Sequence, residues 1–117
     1  MDHPESKLQR ACVTWFRLQY RDIANNLNSI PNGYRTTPLQ AKIAKLEGLT
    51  SGAPDLFLFV PNKHYHGLAI EMKTPKGRQS ENQKEWQWCV EKVGYKYVIC
   101  RSIEDFMQTI QDYLQDR

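Results

Sequence analysis

The chain has 117 residues, 40% of them hydrophobic and 25% charged, with 16 Lys and Arg against 13 Asp and Glu. That length suits one domain spanning residues 1–117, with a core that needs no disulfide or metal staple. The longest apolar run, Leu56 to Val60, is far too short to cross a bilayer. The polar start MDHPESKLQR lacks a signal-peptide pattern, so an intracellular protein without a membrane span is expected.

The first helix is expected from Pro4 to about Asn25, with Leu8, Ala11, Cys12, Trp15, Leu18 and Ile23 recurring at helical spacing. Glu5 lies in its first turn, where the helix dipole favours a carboxylate. It also precedes Leu8 by three residues and Cys12 by seven, so it shares the inward face, where it could serve as an acid near a metal. An extended segment follows at about 27–31, then a Pro-Asn-Gly turn. Thr37-Pro38-Leu39-Gln40 combines an N-cap, a proline at the first helical position and a capping-box glutamine. Gly48 stops that helix. Leu39, Ile43 and Leu46 make a narrow apolar stripe, and Lys42 and Lys45 lie off it, on a solvated face or against phosphate.

The next stretch, GAPDLFLFVPNKHYHGLAIEMK from Gly52 to Lys73, reads as two strands around a polar turn at Pro61 to His66. Alternation puts Glu71 and Lys73 on one face, opposite Leu68, Ile70 and Met72. The turn centre lies near Lys63 or His64, so an antiparallel pairing sets Asp55 opposite Glu71 or Met72. Two carboxylates so close repel each other and call for a cation or a shared proton. A hard ion such as Mg2+ is held by one or two carboxylates with water and substrate phosphate. Lys73 beside them could hold the attacking water or offset charge on the phosphate.

After Lys73 comes a loop, Thr74-Pro75-Lys76-Gly77-Arg78-Gln79, whose cations Lys76 and Arg78 suit a phosphate backbone. Ser80-Glu81-Asn82-Gln83 is a second capping box, opening a helix to about Val93 that Gly94 ends. Its stripe is expected to be Trp86, Cys89, Val90 and Val93. Gln83 lies on that stripe and can cap the helix or reach inward. Trp88 points elsewhere, to stack on a base, fill a subunit interface or simply pack. Tyr95 to Cys100 is a short strand, and Ser102 starts a last helix with the stripe Ile103, Phe106, Met107, Ile110, Tyr113 and Leu114. The order α-β-α-β-β-α-β-α argues an α/β fold, a small mixed sheet flanked by helices.

The three cysteines, Cys12, Cys89 and Cys100, have no metal-ligand spacing and read as reduced core thiols. Between residues 62 and 101 there are eight cations against four carboxylates, and after 101 four carboxylates against one cation. A polyanion meeting one side of the molecule fits that asymmetry.

Pro54-Asp55 followed by Glu71-x-Lys73 resembles the PD-(D/E)XK nuclease superfamily. The closer resemblance is to its virus-type replication-repair nuclease domain, VRR-Nuc, through Glu5, Gly52-x-Pro54-Asp55, Glu71-x-Lys73, Ser80-x-x-Gln83 and Trp86, over roughly Glu5 to Arg101. This implies a restriction-endonuclease-like core and a DNA phosphodiesterase dependent on Mg2+ or Mn2+. Asp55, Glu71 and the Met72 carbonyl would hold metal, with Glu5 through a water or a second ion. Lys73 would act at the water and phosphate, and Gln83 would orient Lys73 or the phosphate. Lys76 and Arg78, then Lys42 and Lys45, would grip DNA. Stand-alone members of the family, viral or bacterial, resemble homodimers that cut branched DNA such as four-way (Holliday) junctions. The resemblance implies a role in DNA repair or in phage replication or packaging, in cytoplasm or nucleoid, with a phage-encoded origin as one option. The alternative is a non-catalytic nucleic-acid-binding module of the same fold. A metalloprotein using His3, His64 and His66 is a third reading.

Overall fold

A computed structural model of the chain describes residues 4–30 and 37–117. The fold is built on a four-stranded sheet in the order β1 (Leu27–Ser29), β2 (Leu56–Leu58), β3 (Leu68–Met72), β4 (Lys96–Cys100). The first three strands are antiparallel, and β4 runs parallel to β3. The parallel step requires a crossover, supplied by α3 (Glu81–Glu91). The expected mixed α/β sheet flanked by helices is therefore present.

Helices α1 (Pro4–Gln19) and α4 (Ile103–Gln115) cover one face of the sheet. There Cys12 and Phe16 of α1 meet Phe106, Ile110, Tyr113 and Leu114 of α4 over Leu56, Leu58, Leu68, Ile70, Met72 and Cys100. Helix α3 lies on the other face, where Phe57, Ala69 and Tyr97 are buried and Val90 packs against them. Strand β3 is buried along its whole length, as a strand covered on both faces must be. Glu71 lies near the end of this strand, and Asp55 lies just before β2.

Several expected boundaries move. Helix α1 stops at Gln19 and not near Asn25, and a 3-10 helix takes Arg21–Asn26. Tyr20 breaks the helix with φ −124° and ψ 69°, a break that no glycine or proline announces. The inward stripe is Leu8, Cys12 and Phe16 at four-residue steps. Leu18, two residues past Phe16, is 63% exposed, and Ala11 is exposed too. Two residues advance a helix by about 200°, which turns Leu18 outward.

Helix α2 (Pro38–Leu46) has the full capping box: Gln40 N–H donates to Thr37 Oγ1 at 3.2 Å and Thr37 N–H to Gln40 Oε1 at 3.1 Å. Its stripe, Leu39, Ile43 and Leu46, is exposed, so the helix forms from its caps and propensity without burying its apolar face among the described residues. On α3, Trp86, Cys89 and Val90 are half-buried, but Val93 falls beyond the helix end and is exposed. Trp88 is exposed, with Lys92 Nζ 4.0 Å over its ring. Cys12, Cys89 and Cys100 are free thiols, and burial pushes Cys12 up to about 12 and Cys100 to about 11. No helix among the described residues is long and apolar enough to cross a membrane.

Candidate functional site

The β2–β3 register pairs Leu56 with Ile70, Phe57 with Ala69 and Leu58 with Leu68. Its centre is Lys63, and one step beyond the ladder sets Asp55 opposite Glu71. Leu56 and Leu58 face the α1–α4 core, while Phe57 faces α3. By alternation Asp55, Glu71 and Lys73 all face the α3 side.

Asp55 is fixed twice. Its carbonyl accepts from Ile30 N–H at 3.0 Å, which ties it to the end of β1. Its Oδ2 accepts from Met72 N–H at 2.7 Å. Strand β2 begins only at Leu56, so β3 has no strand carbonyl opposite Met72, and the Asp55 side chain takes that place in the ladder. An extended residue sends its N–H and C=O to the same neighbour in an antiparallel pair. The Met72 carbonyl therefore lies on the edge of β3 that Asp55 occupies. On the opposite edge Lys73 N–H donates to Cys100 O at 3.0 Å.

Glu71 is 2% exposed, the buried charged residue among the described ones. Gln83 Nε2 donates to its Oε2 at 2.8 Å, and Lys73 Nζ stands 3.9 Å from the same oxygen. Glu71 Oε1 is buried and receives no hydrogen bond. Burial, then repulsion by Asp55, raises Glu71 to about 9, with a proton-bridged contact to Asp55 adding to the rise and Lys73 opposing it. Glu5 adds the smallest upward push, so it acts on the site from the first turn of α1, where it is half-buried. Burial and Asp55 thus favour the neutral form of Glu71, whose Oε1 accepts no hydrogen bond and whose neighbour is a second carboxyl. Two carboxyls so placed call for a shared proton or a cation between them.

Gln83 performs both sequence-level roles at once. Its Oε1 accepts from Ser80 N–H at 2.8 Å while Ser80 Oγ accepts from Gln83 N–H at 3.1 Å, closing the capping box. Its Nε2 is left to grip Glu71. Of the two partners expected of it, Lys73 or a phosphate, it does not bond Lys73 but holds Glu71, the carboxylate that Lys73 faces.

The turn before β2 is stapled to α3. Asn82 Nδ2 donates to Ser51 Oγ at 3.0 Å, and Trp86 Nε1 donates to Thr50 Oγ1 at 2.8 Å. Gly52 has φ +85°, and a Cβ there would meet the Asn82 backbone carbon at 2.6 Å. Only glycine fits that contact, which holds Asp55 and Gln83 at a set separation.

The structure thus brings together Asp55, Glu71, Lys73, Gln83 and the Met72 backbone, with Glu5 nearby. Lys76 and Arg78 are exposed on the loop leaving Lys73, and Lys42 and Lys45 are exposed on α2. His64 and His66 are exposed on the hairpin loop, and His3 lies outside the described residues. Among the described residues no three of His, Cys, Asp and Glu converge as a ready-made metal cage, so the histidine reading gains nothing. Among the described residues near the site, Arg101 is one that sequence reasoning left without a role, because its side-chain hydrogen bonds reach 24 to 27 residues along the chain and carry no local signature.

The VRR-NUC domain profile matches residues 2–104 of this chain. No curated protein is a significant match. A solved structure described as a VRR_NUC domain protein is similar at a TM-score of 0.85 and 25% identity, over 99% of this chain and 92% of that one.

Proposed function

The chain belongs to the VRR-NUC domain family, and from that premise we propose that it is a metal-dependent endonuclease acting on DNA phosphodiester bonds, selective for branched DNA such as four-way junctions. The observation that carries this reading is the buried Glu71, whose Oε1 accepts no hydrogen bond and whose ionised form Asp55 opposes. A scaffold has no physical use for such a pair, which disfavours the folded state at neutral pH.

Asp55, Glu71 and the Met72 carbonyl would hold Mg2+ or Mn2+, with Glu5 as an outer carboxylate. The oxygen-only donor set suits a hard cation. When bound, the ion supplies Lewis acidity toward the phosphodiester and cancels the repulsion between the two acids. The chain's own groups do the rest. Met72 N–H keeps Asp55 in one rotamer. Gln83 keeps Glu71 in one orientation from a rigid helix end. Lys73, with its side chain only 12% exposed, donates from Nζ to the attacking water or to a phosphate oxygen and offsets the negative charge of the transition state. Lys76 and Arg78, with Lys42 and Lys45 further out, hold the backbone by charge and carry no base readout. No helix or arm for base reading flanks the site among the described residues, which favours selection by DNA shape. A homodimer fits that substrate, because symmetric cuts in two strands need two sites.

Asp55→Ala and Lys73→Ala are expected to remove Mg2+-dependent cleavage while leaving a folded protein that still binds DNA. Cleavage by either variant at the wild-type rate would falsify the assignment.

A further inference from the structure

Across the parallel β3–β4 pair, Met72 lies opposite Cys100, so the residues leaving the two strands, Lys73 and Arg101, emerge side by side. After Lys73 the chain folds into a turn closed by Gly77 N–H donating to Thr74 O at 3.0 Å. Such a turn leaves its other carbonyls needing donors. Three carbonyls of this segment converge on one nitrogen: Arg101 Nη1 donates to Thr74 O at 2.9 Å, to Gly77 O at 2.7 Å and, at the long limit, to Pro75 O at 3.4 Å. Among the described residues, the side-chain bonds of Arg101 go to this turn and none goes to a carboxylate, so its charge faces backbone oxygens.

Arg101 is itself anchored. Its N–H donates to Asp105 Oδ2 at 3.1 Å in the first turn of α4. Ser102 caps that helix, and Phe106 and Ile110 sink it into the core. A rigid path therefore runs from the core through α4 and Arg101 to the turn. The turn in turn borders the site. A Cβ at Gly77 would lie 3.4 Å from Lys73 Cδ, so the turn forms a wall along the Lys73 stem. Lys76 and Arg78 stand exposed on it.

We propose that Arg101 is a positioning residue: its guanidinium clamps the Thr74–Gly77 turn, so that Lys73 is held toward Glu71 and Lys76 and Arg78 are presented to the DNA backbone. The clamp stands on hydrogen bonds alone, while its purpose rests on the nuclease reading. A guanidinium suits it because it stays charged at any working pH and spreads its donors in a rigid plane. A lysine keeps the charge but lacks that plane, so Arg101→Lys separates positioning from charge.

The experiment compares wild type, Arg101→Lys, Arg101→Gln and the pair Lys76→Gln/Arg78→Gln. Limited trypsin digestion reads the turn without any DNA. Cutting after Lys76 and Arg78 is expected to be about tenfold faster in the two Arg101 variants. Binding of four-way-junction DNA in Ca2+, measured against salt, reads the cations. The slope of Arg101→Lys is expected to be shallower by about one to two, approaching that of the Lys76/Arg78 pair. Adding Arg101→Lys to that pair is expected to change the slope little further. Wild-type trypsin rates together with a wild-type salt slope in Arg101→Lys overturn the proposal and leave the nuclease reading intact. Faster digestion in a protein whose wild type neither binds nor cuts DNA keeps the clamp but overturns its positioning role together with the nuclease reading. If both Arg101 variants fail to fold by circular dichroism, the wild type decides: resistance after Lys76 at trypsin levels that cut after Lys63, exposed on the hairpin loop, supports the clamp, and rapid cutting after Lys76 at those levels overturns it.

Discussion

Glu71 is raised to about 9 by burial and by Asp55, and its effect on stability has a definite sign. A carboxyl whose folded-state value lies above its unfolded one favours the fold when protonated. That contribution is full below the unfolded value, near 4.5, and fades as pH rises through about 9. The ion-free protein should therefore melt at a higher temperature at pH 6 than at pH 9, as read by thermal scans in EDTA. Glu71→Gln should flatten that pH dependence and raise the pH 8 midpoint of the ion-free protein by about 3 °C or more, while removing cleavage. An unchanged midpoint would show that Glu71 is not held neutral. Mg2+ or Mn2+ should reverse the trend in the wild type, since ion binding favours the ionised pair and releases a proton. Pro54-Asp55 and Glu71-x-Lys73 were legible as a site because acids are out of place in apolar strands. The grip of Gln83 on Glu71 was half legible: the capping box locates Gln83 on the helix, but the target of its Nε2 depends on where α3 sits over the sheet.

At the scale of elements, α3 and the Thr50–Pro54 turn hold the site between them. Gly52→Ala should cost about 2 kcal/mol or more in chemical denaturation, because a methyl there meets Asn82 backbone at a positive φ. A variant as stable as wild type would mean that the turn is not wedged against α3. Phe16→Ala should cost about 3–5 kcal/mol, since Phe16 is fully buried between α1, α4 and the sheet. Leu18→Ala, by contrast, should change stability by no more than about 0.5 kcal/mol. Sequence spacing alone set Leu18 inside and passed over Phe16. The cause is that several helical stripes can be drawn through α1, and only the facing sheet and α4 decide among them. Capping was the firmer signal. Thr37 with Gln40 and Ser80 with Gln83 both start helices within one residue of expectation, because a cap is a local hydrogen-bonding requirement. The exposed stripe of α2 marks the converse limit: periodicity shows that a face exists and says nothing about what covers it.

For the whole molecule, the β2–β3 hairpin was legible to within one residue, and the structure settles its centre at Lys63, whereas the place of β1 beside β2 had no sequence signal. The helix between β3 and β4 made a mixed sheet the expectation, and the structure shows β4 parallel to β3. Long-range bonds such as those of Arg101 were beyond sequence reading, because they depend on how β4 and α4 return to the site. The charge asymmetry predicts that DNA binding weakens steeply with salt, and Lys76→Gln/Arg78→Gln should flatten the log–log slope by about two. Sedimentation at micromolar concentration should show a dimer, and a monomer alone would count against symmetric junction cutting. The central claim, a divalent-metal nuclease built on Asp55 and Glu71, is tested most directly by incubating the protein with labelled duplex, flap, single-stranded and four-way-junction DNA in Mg2+, Mn2+ or EDTA. The account predicts cleavage in Mg2+ or Mn2+, fastest on the junction, and none in EDTA. No product from any of the DNAs with either metal, or equal product in EDTA, would contradict it.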